Sequence, residues 1–482
     1  MHALLFLHTA ALFFAVAAEQ PSAQQFLAPY VNPEEHKLPE DGIYPLGRRM
    51  PLGAYSSNIN QLRRMSAAGF TMDGPHYAGQ TGPPRWEAAE AAGMKGWFRL
   101  RISDYRGQSG WGAVLPQMNT LEGRANLKKQ IENMINYVQA NPKLNNHIAA
   151  WYGYPEEPIA RPNTPIEQQR AYLKLVHEVI VATDRKRRPF YVSERGDSSR
   201  ENMIANACFQ DGCLKQNYLI ESNPYSGDDE ALLTQWQWAR DQVIACQTAD
   251  RTCPSYTGRP RAAISTLAMF RDPKDKSRRN ERWLRKIITY DVYVQLAAGI
   301  DGLLLYTWTR SSAYWQTTKA LQENIYLDVL GRIARSGLGR VFLWGAERED
   351  ITLEVLEGPR EVRWRKYRRW FTAPAVFLRN IQYGPCRYIL LVNNSKKSVR
   401  VKLSPFPRGL RVEEMLSGKT FDLGPELSPA VEPLGVRMYK IARAEQNPQR
   451  VAAARLGAGP FPWGALARVL VDRLFLPVCR AG

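Results

Sequence analysis

The sequence predicts an α/β fold, in which a (β/α)8 TIM barrel over residues 41–340 is followed by a smaller all-β sandwich domain over residues 341–442. Two observations lead to this prediction. Short apolar segments alternate with helical segments over the first part of the chain, which is typical of a parallel sheet. Beyond residue 340 the pattern changes to short alternating strands separated by turn signals. The 482 residues accommodate both units, since a TIM barrel takes ~250 residues.

The two ends of the chain differ in composition from the predicted domains. Residues 1–18 have the pattern of a signal peptide, an apolar run followed by Ala15-Val16-Ala17-Ala18. We therefore expect export and a secreted or periplasmic location. Residues 19–40 form a leader segment, and residues 443–482 form a tail rich in Ala, Arg, Gly and Pro. No other run approaches the ~20 apolar residues of a membrane helix, so no transmembrane segment is expected.

Eight barrel strands and their intervening helices are predicted from apolar periodicity and turn signals. The strands are residues 43–47 with 52–56, 70–75, 94–101, 147–158, 189–194, 218–225, 262–270 and 302–308. The helices are residues 60–68, 86–92, 121–139, 166–183, 290–298 and 317–335. The sandwich strands are residues 388–394, 399–403, 412–419 and 435–440.

Cysteine spacing agrees with an oxidising destination. Cys208 with Cys213, and Cys246 with Cys253, form two local sets in loop-like polar sequence, and we expect these two disulfides. Zinc is the alternative, but neither set has C-x-x-C spacing and the six histidines are scattered, so no metal site is expected. No cofactor is expected either, because the sequence lacks a nucleophile elbow, a P-loop, a dinucleotide fingerprint and an H-E-x-x-H helix.

The formal net charge of +19 is concentrated in clusters at residues 184–188, 274–286 and 360–370. A polyanion is a plausible neighbour of such clusters. For an exported chain we expect an acidic polysaccharide or an anionic surface, and not nucleic acid, because no recognised nucleic-acid module frames them. Solvated Arg-rich faces explain the same clusters equally well.

The segment from His147 to Pro158 is an apolar, aromatic run that ends in two adjacent carboxylates, Glu156 and Glu157. It reads as a buried strand, and Pro158 stops regular pairing where the carboxylates emerge. In an α/β barrel, catalytic groups lie at that carboxyl end of a strand. We therefore predict a cleft lined by Tyr154 and these two acids. The alternative is that both acids cap the strand and pair with surface arginines.

Trp151-Tyr152 followed by Glu156-Glu157-Pro158 resembles the fourth-strand signature of the barrel glycoside hydrolases of clan A. The resemblance implies a carbohydrate substrate and a general acid/base role for Glu157. It also implies the β-sandwich that often follows such barrels. Glu156 stands where the clan usually has an Asn that bonds the sugar 2-hydroxyl, and it is assigned to substrate binding.

Glycosidic cleavage requires a second carboxyl group, and the sequence departs from the clan here. The clan's nucleophile is a Glu at the end of strand seven, but residues 262–270 contain no acid. Glu194 is favoured as a substitute, because it lies near a strand terminus and the neighbouring Arg195 would keep it ionised. A plain ion pair with Arg195 is the alternative for this residue. Further candidates are Glu221, Glu156 and Asp73.

Two aromatic residues complete the predicted site. Trp308, at the end of the eighth strand, is expected to face the cleft as a sugar platform, and Tyr225 to orient a carboxylate. Packing within the barrel is the alternative for Trp308, and a plain turn for Tyr225. Two functions from different classes follow: an exported glycoside hydrolase acting on a poly- or oligosaccharide, and a non-catalytic carbohydrate-binding barrel that has lost the strand-seven nucleophile.

Overall fold

The computed structural model describes residues 22–55, 59–75, 83–102, 110–158, 165–196, 198–218, 229–269, 281–306, 316–366 and 369–444. Its first unit is a barrel of parallel strands. The barrel strands are β1 (Leu52–Ala54), β2 (Met72–Asp73), β3 (Gly96–Arg101), β4 (Ile148–Tyr154), β5 (Phe190–Tyr191), β6 (Ser193–Glu194), β7 (Gly212–Gln216), β8 (Ala262–Ala268) and β9 (Gly302–Tyr306).

The parallel strands close into a ring. One run of hydrogen-bonded neighbours has the order β2-β1-β9-β8-β7-β6, and the other has the order β3-β4-β5. A parallel bridge between Met72 and Lys95 joins β2 to the start of β3. Only Val192 separates β5 from β6, and its N–H donates to the side chain of Gln210 (2.7 Å). The pieces β5 and β6 therefore form one barrel strand, and the described residues confirm the eight-stranded barrel.

Most helices lie between or after the barrel strands and cover the barrel, whereas the first, Ala23–Phe26, precedes them and its Phe26 packs against Phe406. They are α1 (Ala23–Phe26), α2 (Ile59–Ala67), α3 (Pro83–Ala91), α4 (Trp111–Met118), α5 (Leu121–Ala140), α6 (Pro142–His147), α7 (Ile166–Thr183), α8 (Arg200–Ala207), α9 (Asp229–Thr252), α10 (Glu281–Ala298), α11 (Gln316–Arg335) and α12 (Leu338–Trp344). Local chemistry fixes several ends: the Thr120 hydroxyl accepts from the Gly123 N–H at the start of α5, and Ser199 does the same for Asn202 in α8.

Large side chains fill the barrel interior. Trp97 and Tyr191 pack edge to face at 5.1 Å, and Trp97 also packs against Tyr152 at 6.3 Å. All three side chains are fully buried. The interior is therefore a packed core. The opening above this core, at the carboxyl ends of the strands, is called the barrel mouth below.

The second unit is a β-sandwich, as predicted. Its strands are β10 (Ala346–Glu347), β11 (Thr352–Glu357), β12 (Glu361–Lys366), β13 (Arg369–Pro374), β14 (Val376–Tyr383), β15 (Cys386–Asn393), β16 (Val399–Ser404), β17 (Leu410–Glu414), β18 (Lys419–Leu423), β19 (Ala430–Val431) and β20 (Val436–Arg443). One antiparallel sheet has the order β10-β14-β15-β20-β17-β18 and another has the order β11-β16-β19. Buried side chains such as Ile389, Val401 and Ile441 form the core between them.

The two units share one apolar core. Trp236 of α9 stacks on Phe377 of β14 with ring centroids 4.5 Å apart. The Tyr290 hydroxyl of α10 donates to the side chain of Asn394, and Arg379 donates to the carbonyl of Leu296 (2.6 Å). The sandwich therefore packs directly on the helices that follow the sixth and seventh barrel strands.

The sixth barrel strand differs from the prediction. It spans Gly212–Gln216, whereas residues 218–225 were expected; Tyr218 follows the strand, and residues 219–228 lie outside the described part of the chain. The polar residues Lys215 and Gln216 interrupt the apolar pattern that would indicate a barrel strand. Lys215 is buried, and its ammonium contacts the carbonyl of Ser198 at 3.4 Å.

The predicted disulfide pairing is wrong. Cys208 is bonded to Cys253, which joins the end of α8 to the end of α9. Cys213 lies on β7 and Cys246 on the helix that covers it, and both are buried free thiols. Cys386, on β15, is also disulfide-bonded. Cys208 and Cys253 directly follow α8 and α9, whereas Cys213 lies on β7 and Cys246 within α9, so the cysteines that meet in space are not those that are close in sequence.

Among the described residues, no helix is both long enough and apolar enough to cross a bilayer. The predicted signal peptide at residues 1–18 and the tail beyond residue 444 lie outside the described part of the chain.

Candidate active site

Glu157 lies just beyond the carboxyl end of β4, at the barrel mouth. Its backbone N–H donates to the carbonyl of Ser193 (2.8 Å), which ties it to the fifth barrel strand. Its φ of 58° is in the left-handed region, which is uncommon for a residue with a side chain. Such a conformation persists only where the surroundings enforce it, and it occurs often at functional sites.

The Glu157 carboxylate reaches across to the sixth barrel strand. The side-chain amide of Gln216 donates to Oε1 of Glu157 (3.3 Å) and to the hydroxyl of Ser193 (3.1 Å). The Glu157 side chain remains partly exposed. A partly exposed carboxyl group that accepts from a neighbouring amide is able to exchange a proton with a bound molecule.

Glu156 turns towards the third barrel strand instead. Oε1 of Glu156 accepts from Nη2 of Arg99 (3.2 Å), and both side chains are about one-fifth exposed. The Arg99 guanidinium also lies over the ring of Tyr154, 4.1 Å from its centroid. The backbone carbonyl of Glu156 accepts from the indole of Trp111 (2.8 Å). The two adjacent acids therefore have different partners on different sides of the mouth.

A cluster of tyrosines packs just below the mouth, next to the acids. Tyr55 packs edge to face on Tyr306 (5.3 Å) and on Tyr152 (6.3 Å), and Tyr218 stacks on Tyr306 (5.7 Å). Burial raises the pKa of the Tyr55 and Tyr152 hydroxyls, and the charge of Glu156 raises both further. These phenols therefore stay protonated, and their hydroxyls interact with each other next to the acids.

Glu194 does not face the mouth with Glu157. It is 1% exposed, and its carboxyl oxygens accept from the Ser198 hydroxyl (3.0 Å) and from the Asn206 amide of α8 (2.8 Å). Burial raises its pKa to about 7, although these hydrogen bonds oppose the shift. The expected nucleophilic role thus conflicts with the structure, because the group lies on the helix side of the strand and burial disfavours its ionised form.

Asp73 also lies on the helix side of its strand. It is fully buried and accepts from Nε (3.0 Å) and Nη2 (2.8 Å) of Arg85 in α3, and from the backbone N–H of Gly74. This two-bond ion pair attaches α3 to the barrel. Asp73 therefore has a structural role and does not lie in the cleft, where it was predicted.

The predicted residues Glu221, Tyr225 and Trp308 lie outside the described residues. The sequence reasoning missed Arg99 and Gln216. Alternation along β3 would have found Arg99, since side chains two residues apart point to the same face of a strand, and Trp97 faces the barrel interior. Gln216 lies on the strand that the sequence misplaced. Among the described residues, no group of three or more His, Cys, Asp or Glu side chains is arranged to hold a metal ion.

Comparison with known proteins gives similarities at the level of overall layout. No family model and no curated protein matches the chain. A family 39 glycoside hydrolase from Bacteroides cellulosilyticus WH2 is 11% identical with a TM-score of 0.47, over 81% of this chain and 81% of that chain. An alpha-amylase from Geobacillus thermoleovorans is 11% identical with a TM-score of 0.45, over 82% and 97%.

A family 30 subfamily 8 xylanase from Clostridium acetobutylicum is 8% identical with a TM-score of 0.44, over 82% of this chain and 96% of that chain. The solved structures similar to this chain thus include glycoside hydrolases of several families. The fold of this chain itself is established by its own closed ring of parallel strands and by the antiparallel sheets that follow.

Proposed function

We propose that this protein is an exported glycoside hydrolase that cleaves a poly- or oligosaccharide, with Glu157 as its general acid/base. The observation that carries the proposal is the position of Glu157, a partly exposed carboxyl beyond the end of the fourth barrel strand, oriented by Gln216. Barrel enzymes carry their catalytic groups at this end of the strands. The Cys208–Cys253 disulfide supports an oxidising, extracytoplasmic destination.

The proposed acid step uses the contacts of Glu157. Oε1 accepts a hydrogen bond from the Gln216 amide. In the protonated acid, the transferable proton is therefore assigned to Oε2. Oε2 gives that proton to the glycosidic oxygen as its bond to the sugar breaks, and the ionised group then takes a proton from the attacking water.

Glu156 is our candidate for the second carboxylate. Two of the other predicted acids, Glu194 and Asp73, lie on the helix side of their strands. Glu156 lies at the mouth beside Tyr152 and Tyr154. Arg99 balances its charge at 3.2 Å. Glu221 is a second candidate from the sequence, in a segment outside the described residues.

A non-catalytic carbohydrate-binding barrel is the alternative function. The observation that favours it is the end of β8, the seventh barrel strand, where residues 262–269 contain no acid. A mouth with two oriented carboxylates above a cluster of tyrosines would still hold a sugar, since carboxylates and aromatic groups both suit that ligand.

The test is hydrolysis of a panel of neutral and acidic glycans by the wild-type chain and by Glu157→Gln. We expect the variant to lose about 10²- to 10⁴-fold in kcat, the usual contribution of a general acid. The loss should be smaller for aryl glycosides with acidic leaving groups, because these need less protonation. Glu178→Gln, an exposed change on α7, is the matched control and should keep full activity.

Further variants locate the second carboxylate. Glu156→Gln should lose turnover while Glu194→Gln keeps it. If Glu157→Gln hydrolyses glycans at the wild-type rate, Glu157 is not the general acid/base. Binding of a glycan by the wild-type chain without turnover, measured by calorimetry across the same panel, would establish the binding barrel instead.

A further inference from the structure

The hairpin formed by β12 and β13 is a two-stranded ribbon with unlike faces. Its register pairs Trp364 with Phe371 and Arg365 with Trp370. The Trp364 side chain is 4% exposed and stacks on Phe371 with centroids 5.6 Å apart, within the core shared by the barrel helices and the sandwich. One face of the ribbon is therefore anchored to the protein.

The opposite face carries an aromatic ring between cations. Trp370 is 59% exposed, the largest exposed apolar surface of the described ribbon residues. The Arg363 guanidinium lies over its indole ring at 4.5 Å, and Arg365 is its cross-strand neighbour. Arg363, Arg365 and Thr372 are exposed as well. The stacked guanidinium holds the indole in one orientation while much of the ring remains open to solvent.

The charge of this segment is strongly one-sided. Residues 360–370 contain six Lys or Arg and one acid, Glu361. Arg363 and Arg365 project from the same face of one strand, ~7 Å apart along it. Such a row of like charges attracts an extended polyanion.

We propose that the outer face of this hairpin binds a chain of an acidic polysaccharide, at a site separate from the barrel mouth. The open indole face packs against a sugar ring, and Arg363 and Arg365 pair with carboxylate or sulfate groups of neighbouring sugars. An anionic membrane fits less well, because Trp370 is the single large apolar side chain on this face among the described residues.

The test uses the full chain and polygalacturonate, with neutral dextran as the uncharged probe, in affinity electrophoresis and calorimetry. We expect binding to polygalacturonate that weakens as salt rises, because exposed charge pairs are screened. Trp370→Ala and Arg363→Gln should each weaken it by about fivefold or more, equivalent to ~1 kcal/mol.

The β17–β18 hairpin provides matched controls, since it also carries an exposed aromatic, Phe421, and an exposed cation, Arg411. Phe421→Ala and Arg411→Gln should bind like the wild type, and thermal unfolding should show all four variants folded. Equal affinity of Trp370→Ala and wild type would overturn the proposal. So would stronger binding to phosphatidylglycerol vesicles than to polygalacturonate, or equal affinity for dextran.

Discussion

At the scale of single residues, the unusual groups are carboxyls buried without a counter-charge. Asp291 of α10 is fully buried, and its oxygens have no hydrogen-bond partner among the described residues. Burial raises the pKa of Asp291 to about 8, and the nearby Gln295 opposes the shift only in part. Its pKa is higher in the folded than in the unfolded chain, so the stability that its protonated form contributes is lost as pH rises through 8.

We predict that Asp291→Asn stabilises the protein increasingly as pH rises from 4 towards 8, by at most ~1.4 kcal/mol per pH unit. The amide is neutral at every pH and similar in shape to the protonated acid. Denaturant unfolding of both proteins at several pH values measures the difference. Asp328→Asn, on the surface of α11, is the control, and a pH-independent difference for Asp291→Asn would contradict the prediction.

His147 also makes stability depend on pH, but its contribution is lost as pH falls. Burial lowers its pKa to about 4, so the unfolded chain takes up a proton that the folded chain refuses. The stability contributed by neutral His147 is therefore complete above pH 6.5 and is lost as pH falls through 4. Both proteins of the Asp291 comparison contain His147, so its effect cancels in their difference.

At the scale of elements, close packing of strand on helix depends on a glycine. A Cβ at Gly96, the first residue of β3, would lie 2.4 Å from Nε2 and 2.8 Å from Cδ2 of His147. The imidazole is 1% exposed and packs near Trp86, so it has no room to move away. The end of α6 thus approaches β3 only because position 96 has no side chain.

We predict that Gly96→Ala destabilises the protein by about 1–3 kcal/mol, the usual effect of overpacking. Gly112→Ala in α4 is the matched control, since nothing lies within 4 Å of its added Cβ. That change should stabilise by up to ~1 kcal/mol through helix propensity. Urea unfolding at pH 7 compares the two, and equal effects would contradict the steric argument.

At the scale of the whole molecule, the barrel and the sandwich form one packed body. A single cluster of buried apolar residues contains α9 and α10 side chains together with those of β14, β15 and β20. Phe377 lies at this junction, 7% exposed and stacked on Trp236. Loss of packing at this junction should therefore lower the stability of both units.

We predict that Phe377→Ala lowers stability by about 3–5 kcal/mol and shifts one common unfolding transition. Differential scanning calorimetry measures this, with near-UV circular dichroism as a second probe. Phe421→Ala removes the same side chain at a site that is 39% exposed, and should shift the transition little. Two separate transitions, of which only the sandwich transition moves, would show that the units unfold independently.

In the barrel, apart from the sixth strand and helices α4, α6, α8, α9 and α12, the sequence by itself predicted the order of strands and helices, because apolar periodicity and turn residues are local properties. It also placed Glu157 after the fourth strand, although that strand ends at Tyr154 and not at Pro158. The tertiary structure alone decided the partners: Cys208 with Cys253, Glu194 with Asn206, and Glu156 with Arg99. Such pairs join segments that are distant in sequence, and the spacing of residues within one segment does not encode which distant residue a side chain meets.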